Sequence, residues 1–200
     1  VLAGTNAAVR TRIVEGIKPA WVVLENVTGI LSAGGGAAAD AIVESFENLG
    51  YRVEMKILKA EEFGVPQERR RVIFMGNRVG APIVWPDPTH GPAVTIKDAI
   101  GDLPLLENGE DLGAQPYKTP PLSEFQLRMR GNAQYVTNHA APRLGAINVE
   151  RLAHIPPGGS WRDIPVHLLP LGMKRAKRSD HTKRYGRLLW DGLSSTILTK

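Results

Sequence analysis

The stretch Phe63-Gly64-Val65-Pro66-Gln67-Glu68-Arg69-Arg70-Arg71-Val72-Ile73-Phe74-Met75-Gly76 decides how the chain is read. A Gly/Pro loop, three consecutive arginines and an uninterrupted apolar run follow one another without a break. The apolar run predicts a buried strand, and the Gly and Pro before it predict a rigid entry into that strand. An arginine beside such a strand needs a partner, because a buried charge without one is costly; a carboxylate, a phosphate or a polar ligand would serve. Upstream, Glu25-Asn26-Val27 directly follows the apolar strand Trp21-Val22-Val23-Leu24. The Glu25 carboxylate is therefore expected at a strand end, where α/β proteins bind ligands.

Tyr51, Val53, Met55 and Ile57 alternate with Arg52, Glu54 and Lys56, the period-2 pattern of a strand with one wetter face, near a sheet edge. Its expected partner is Val72 to Met75. The residues between include Pro66 and no long helical pattern, so antiparallel pairing is favoured over a helical crossover. Trp21 to Leu24, continuously apolar, predicts a central parallel strand covered on both faces. Val9, Ile13 and Ile17, with Val14 alongside, predict a helix over 7–17 that faces the sheet and stops at Pro19. A second helix is predicted over 40–49, with Ile42, Val43, Phe46 and Leu49 on one face and Gly50 as its stop. Gly34-Gly35-Gly36 has neither the following Lys-Ser/Thr nor the spacing of a dinucleotide loop, and reads as a flexible connection.

Past Gly76 the texture turns Pro-rich and irregular, with one short helix expected over 95–100, and a boundary is expected near Val79. Thr119-Pro120-Pro121, Ile155-Pro156-Pro157-Gly158-Gly159 and Leu169-Pro170 leave little room for long helices there. Trp161 reads as an anchor of its Pro/Gly loop rather than a base-stacking platform. The chain of 200 residues is 42% hydrophobic, enough for a packed core. Its formal charge of +5 is uneven: Arg162 to Arg187 holds eight Lys/Arg against two Asp, a local +6, so the rest sums to −1. Such a cationic segment suits a phosphate-binding surface, although many are simply solvated. No apolar stretch is long enough to span a bilayer and no signal segment opens the chain, so a cytoplasmic protein is expected, nucleoid-associated in a bacterium. The five histidines are scattered without ligand spacing, so no metal site is expected. Cysteine is absent, which removes disulfides, thiolate metal sites and a cysteine nucleophile from these residues.

Glu25-Asn26-Val27 and Gln67-Glu68-Arg69-Arg70-Arg71, in this order and with Leu49-Gly50-Tyr51 and Phe63-Gly64-Val65-Pro66 between them, resemble the motifs of the cytosine-C5 DNA methyltransferases. The likeness is close over roughly the first 76 residues and looser to the end, where Ser195-Thr196-Ile197 resembles the family's Thr-aliphatic pair. It implies an α/β fold: the C-terminal half of a methyltransferase-like Rossmann sheet with a terminal antiparallel strand pair, then a loop-rich target-recognition domain. Residues 1–79 would be part of the S-adenosylmethionine-dependent catalytic domain and 80–200 the DNA-binding recognition region, incomplete at its C-terminus. The implied reaction is methyl transfer from S-adenosylmethionine to C5 of a cytosine flipped out of duplex DNA, by a monomer, as in restriction-modification systems. Catalytic roles fall on Glu25 at the base's Watson–Crick edge, on Asn26 holding the loop, on Arg71 at O2 and on Arg69 in support. Gln67 and Arg70 fall near the DNA, as do Lys174, Arg175, Lys177, Arg178, Lys183, Arg184, Arg187 and Thr196. Cofactor-binding residues stay unassigned. The family's Pro-Cys nucleophile and glycine-rich cofactor loop are missing, and the chain opens without Met, so a truncated, inactive piece of a longer enzyme is expected. An RNA cytosine-C5 methyltransferase and a non-catalytic DNA-binding relative remain as alternatives.

Overall fold

The computed structural model describes residues 12–89, 91–177, 179 and 184–196. They form two compact units. The first holds the described residues up to Phe63 together with Arg69–Gly91, and the second holds Gly64–Glu68 and the described residues from Pro92 onward.

The first unit is built on three strands, β1 (Trp21–Val27), β2 (Arg52–Lys59) and β4 (Arg70–Asn77); the intervening β3 (Gln67–Glu68) belongs to the second unit. The sheet order is β1-β4-β2, and β4 is antiparallel to both neighbours, so β1 and β2 run parallel to each other. The expected antiparallel pairing of β2 with β4 is present, running from Arg52↔Asn77 to Lys59↔Arg70. β1 is not central: it lies at an edge of this sheet and alternates between exposed and half-buried residues, with Val23 66% exposed. Its unbroken apolar character is used on one face only, because Val22 and Leu24 meet the core while no described element covers the face of Trp21, Val23 and Val27.

The helix α1, described over 12–17, precedes β1, and α2 (Ala37–Glu47) crosses from β1 to β2. Ala39, Ile42 and Phe46 of α2 lie at helical spacing and are buried with Tyr51, Val72 and Phe74. Gly50 supplies a positive φ of 82° just past α2, the conformation that ends a helix cheaply only at glycine. The stripe expected to bring α1 onto the sheet is corrected: Ile13 and Ile17 are exposed, Ile17 at 72%, and Val14 makes the core contact instead. Val9 lies outside the described residues. Residues 28–36 are ordered turns rather than a loose connection, forming two 3-10 helices, Thr28–Leu31 and Ala33–Gly36, with positive φ at Gly34, Gly35 and Gly36.

The first unit also runs beyond Val79, to Gly91. The physical reason is a set of hydrogen bonds that returns this Pro-rich tail onto the sheet. Buried Asn77 donates from Nδ2 to the Ala81 carbonyl, Trp85 Nε1 donates to Glu54 Oε2 at 3.2 Å, and Thr89 N–H donates to the Glu62 carbonyl at 2.8 Å.

The second unit is loop-rich, as the proline spacing predicts. Its regular pieces are short: α3 (Ile96–Ile100), β5 (Gln115–Pro116), α4 (Glu124–Arg130), β6 (Tyr135–Val136), α5 (Ala146–Ala153), α6 (Leu171–Lys174) and β7 (Ser194–Ser195). Side-chain ties substitute for long ladders. Arg130 Nη2 reaches Asp102 Oδ2 at 2.5 Å and the Thr119 carbonyl at 2.8 Å, and its guanidinium lies 3.6 Å from the centre of the Tyr117 ring. That one side chain, itself largely shielded, neutralises a buried carboxylate and joins three segments. Trp161 is buried with Ile155, Ile164, Leu168 and Leu169, which confirms it as a loop anchor.

Candidate functional site

β1 and β4 bring the two decisive motifs together. In their antiparallel register Glu25 pairs with Ile73 and Val27 with Arg71, so Glu25 and Arg71 are diagonal neighbours on one face of the sheet. Arg71 Nε lies 2.6 Å from Glu25 Oε1, and Arg69 Nη2 lies 3.9 Å from the same oxygen. The partner demanded by an arginine beside an apolar strand is thus Glu25. The pair is asymmetric in burial: the Arg71 side chain is 22% exposed and that of Glu25 51%. The guanidinium is set into the sheet face while the carboxylate stays open to an incoming molecule. Arg71 Nη1 also donates to the Arg70 carbonyl at 2.8 Å, which fixes the plane of the guanidinium.

The flanking residues take distinct places. Asn26 Oδ1 accepts from its neighbour's backbone, the Val27 N–H, at 2.9 Å. Arg70 is exposed on the other face of β4, as its alternation with Arg69 and Arg71 requires. Gln67 sits in β3, which pairs in parallel with β7 through Gln67↔Ser194 and Glu68↔Ser195. Thr196 follows β7, its Oγ1 3.5 Å from the Glu68 carbonyl. The sequence did not single out Glu61, whose Oε2 accepts from the Arg69 N–H at 3.3 Å. No periodic pattern announces such a contact, because it joins a side chain to a backbone amide eight residues away.

Of the basic segment, Lys174, Arg175, Lys177, Arg184 and Arg187 are exposed residues, and Arg187 commits Nη1 to the Ile155 carbonyl at 3.0 Å. Arg178 and Lys183 lie outside the described residues. Among the described residues no cluster of three or more His, Asp or Glu could hold a metal ion, and no helix is long and apolar enough to cross a membrane.

The fold is α/β and is similar to that of a solved DNA methyltransferase structure. A protein of E. coli described as a prophage-encoded DNA modification methyltransferase superposes with a TM-score of 0.67 over 94% of this chain and 55% of its own, at 19% identity, a likeness of fold alone. The family follows from sequence: the C-5 cytosine-specific DNA methylase model matches residues 8–143, and the chain belongs to that family. It is 37% identical over 185 residues to the type II methyltransferase M.AgeI of Thalassovita gelatinovora, covering 80% of this chain and 43% of that protein. It is 33% identical over 219 residues to DNA (cytosine-5)-methyltransferase 2 of Arabidopsis thaliana, covering 88% of this chain and 14% of that protein. The chain therefore spans less than half the length of either relative.

Proposed function

We propose that these residues belong to a DNA (cytosine-5-)-methyltransferase acting in the cytoplasm, as a monomer, on duplex DNA, with the first unit as the C-terminal half of its Rossmann sheet and the second as its recognition region. The supporting observation is the convergence of one open carboxylate, Glu25, which lies inside β1 two residues before its end rather than after the strand, and two guanidiniums, Arg71 and Arg69. A cytosine turned out of the helix offers the matching edge: N4–H to donate, N3 to take a proton, and O2 to accept. Glu25 accepts from the N4 amine and shares a proton with N3, which draws electron density away from C6. Arg71 stabilises the negative charge that spreads toward O2 as a nucleophile adds at C6.

The thiolate that makes this attack in the family is not among these residues, which contain no cysteine. S-adenosylmethionine supplies the electrophilic methyl group in this family. The glycine cluster Gly34–Gly36 does not fit that group, since it turns back on its own backbone, Gly35 N–H donating to the Ser32 carbonyl at 3.2 Å. No cofactor-binding residue is assigned, and the roles above are confined to the base. Phosphate contacts fall to Lys174, Arg175, Lys177, Arg184 and Arg187, with Thr196 at the backbone of the target nucleotide.

In the active enzyme, Glu25→Gln or Arg71→Ala should lower turnover about a hundredfold or more, the range for lost proton-transfer or charge-stabilising groups. Duplex affinity should change by no more than about threefold, because phosphate contacts dominate it. Equal losses in turnover and affinity would remove these roles. Competition between duplex DNA and tRNA separates the DNA reading from an RNA one.

A further inference from the structure

Residues 64–68 cluster with the second unit, so Arg69 is the first residue at which the chain rejoins the first. Little strand pairing fixes it there. The β1 ladder ends at Val27↔Arg71 and the β2 ladder at Lys59↔Arg70, which leaves Arg69 beyond both. Its backbone is gripped instead by the 3-10 turn Ala60–Phe63. Arg69 N–H donates to Glu61 Oε2 at 3.3 Å, and the Arg69 carbonyl accepts from Ala60 N–H at 2.8 Å. The turn is itself held on two sides: Lys59 Nζ meets Glu62 Oε1 at 2.6 Å, and Thr89 donates to the Glu62 carbonyl from both N–H, at 2.8 Å, and Oγ1, at 3.0 Å.

Strand register decides which face the arginines take. Arg69 and Arg71 turn toward Glu25 and Arg70 turns away; a slip of one residue would reverse this and leave Glu25 without either guanidinium. We infer that Glu61 is a positioning residue, its carboxylate pinning the Arg69 amide so that the Arg69 guanidinium already faces Glu25, beside the ladder-held Arg71, before a base arrives. The inference rests on the reading of Glu25 and Arg71 as the base site. Glu61 acts as a hydrogen-bond acceptor for a backbone amide, so its negative charge is dispensable and its oxygen is not.

The test compares Glu61→Ala with Glu61→Gln in the active enzyme, following kcat, KM for duplex DNA, and hydrogen exchange at the Arg69 amide. Glu61→Ala should lower kcat about tenfold or more with KM within about twofold, as a sub-ångström loss of alignment does. The Arg69 amide should exchange at least about tenfold faster in that variant while the Phe74 amide, inside both ladders, is unchanged. Glu61→Gln retains an acceptor oxygen and should stay within about twofold of wild type in every readout. An unaltered kcat and Arg69 exchange in Glu61→Ala overturns the inference, as does Glu61→Gln as impaired as Glu61→Ala. Faster Arg69 exchange in Glu61→Ala, together with normal turnover in Glu25→Gln, keeps the pin and removes the base-site reading.

Discussion

The Asp98 carboxyl is held below the usual carboxylate range, first by the Thr95 hydroxyl, then by the Thr95 N–H and, more weakly, by Lys97; burial opposes them. Asp98 Oδ2 accepts from Thr95 Oγ1 at 2.6 Å and Thr95 N–H at 3.0 Å, while Thr95 Oγ1 accepts from Asp98 N–H, a reciprocal cap on α3. A depressed folded pKa means that the stabilisation is complete above the unfolded value of 3.8 and is lost as pH falls through the lower folded value. Asp98→Asn should therefore be less stable than wild type near neutrality, and the gap should close in denaturation series carried below that pH. Thr95→Ala should cost ~1 kcal/mol at pH 7 in the same measurement. Single residues were unevenly legible in the sequence. Glu25 and Arg71 could be found because an arginine beside Val72–Met75 demanded a carboxylate, whereas Glu61 could not, its work being done on a backbone amide that carries no side-chain signature.

β4 carries the first unit's core, with Val72 at 0% and Phe74 at 1% exposure. Phe74→Ala should destabilise this unit by about 3–5 kcal/mol in chemical denaturation, the cost of lost burial plus an unfilled cavity. Gly76 is close-set for a different reason. A Cβ there would lie 3.1 Å from the Arg52 carbonyl and from methyl carbons of Val22 and Val53, so Gly76→Ala should also destabilise, through overpacking. The pairing of β2 with β4 was readable from alternation and a short, Pro-containing link. The seat of β4 between β1 and β2 was not, because a period-2 pattern tells which residues share a face and says nothing of which strand lies on either side. The same limit explains β1, whose apolar run looked like a strand buried on both faces yet is covered on one.

Across the molecule, positive charge gathers in the segment from Arg162 to Arg187, and Lys174 and Arg175 are exposed within it. Replacing both with alanine should weaken duplex binding equally for methylatable and unrelated sequences. The slope of log affinity against log salt should fall by about 0.9 for each phosphate that is no longer neutralised. A variant that weakened only one sequence would assign these residues to base readout instead. Composition showed that the latter part of the chain is Pro-rich and irregular, yet it placed the boundary near Val79, short of Gly91. The discrepancy lies in hydrogen bonds such as Trp85 to Glu54 and Thr89 to Glu62, which tie an irregular tail to a regular sheet and leave no trace in local pattern.

The strand order β1-β4-β2 also governs how this unit can be made. The two outer strands meet only through the middle one, and that middle strand is the last of the three to be synthesised. While the ribosome is still upstream of Arg70, β1 and β2 have no shared partner, and α2 has only part of the surface it finally covers. Val22 and Leu24 gain their β4 partners Gly76 and Phe74 only once Asn77 has cleared the exit tunnel, an interval during which chaperone binding competes with closure of this part of the sheet.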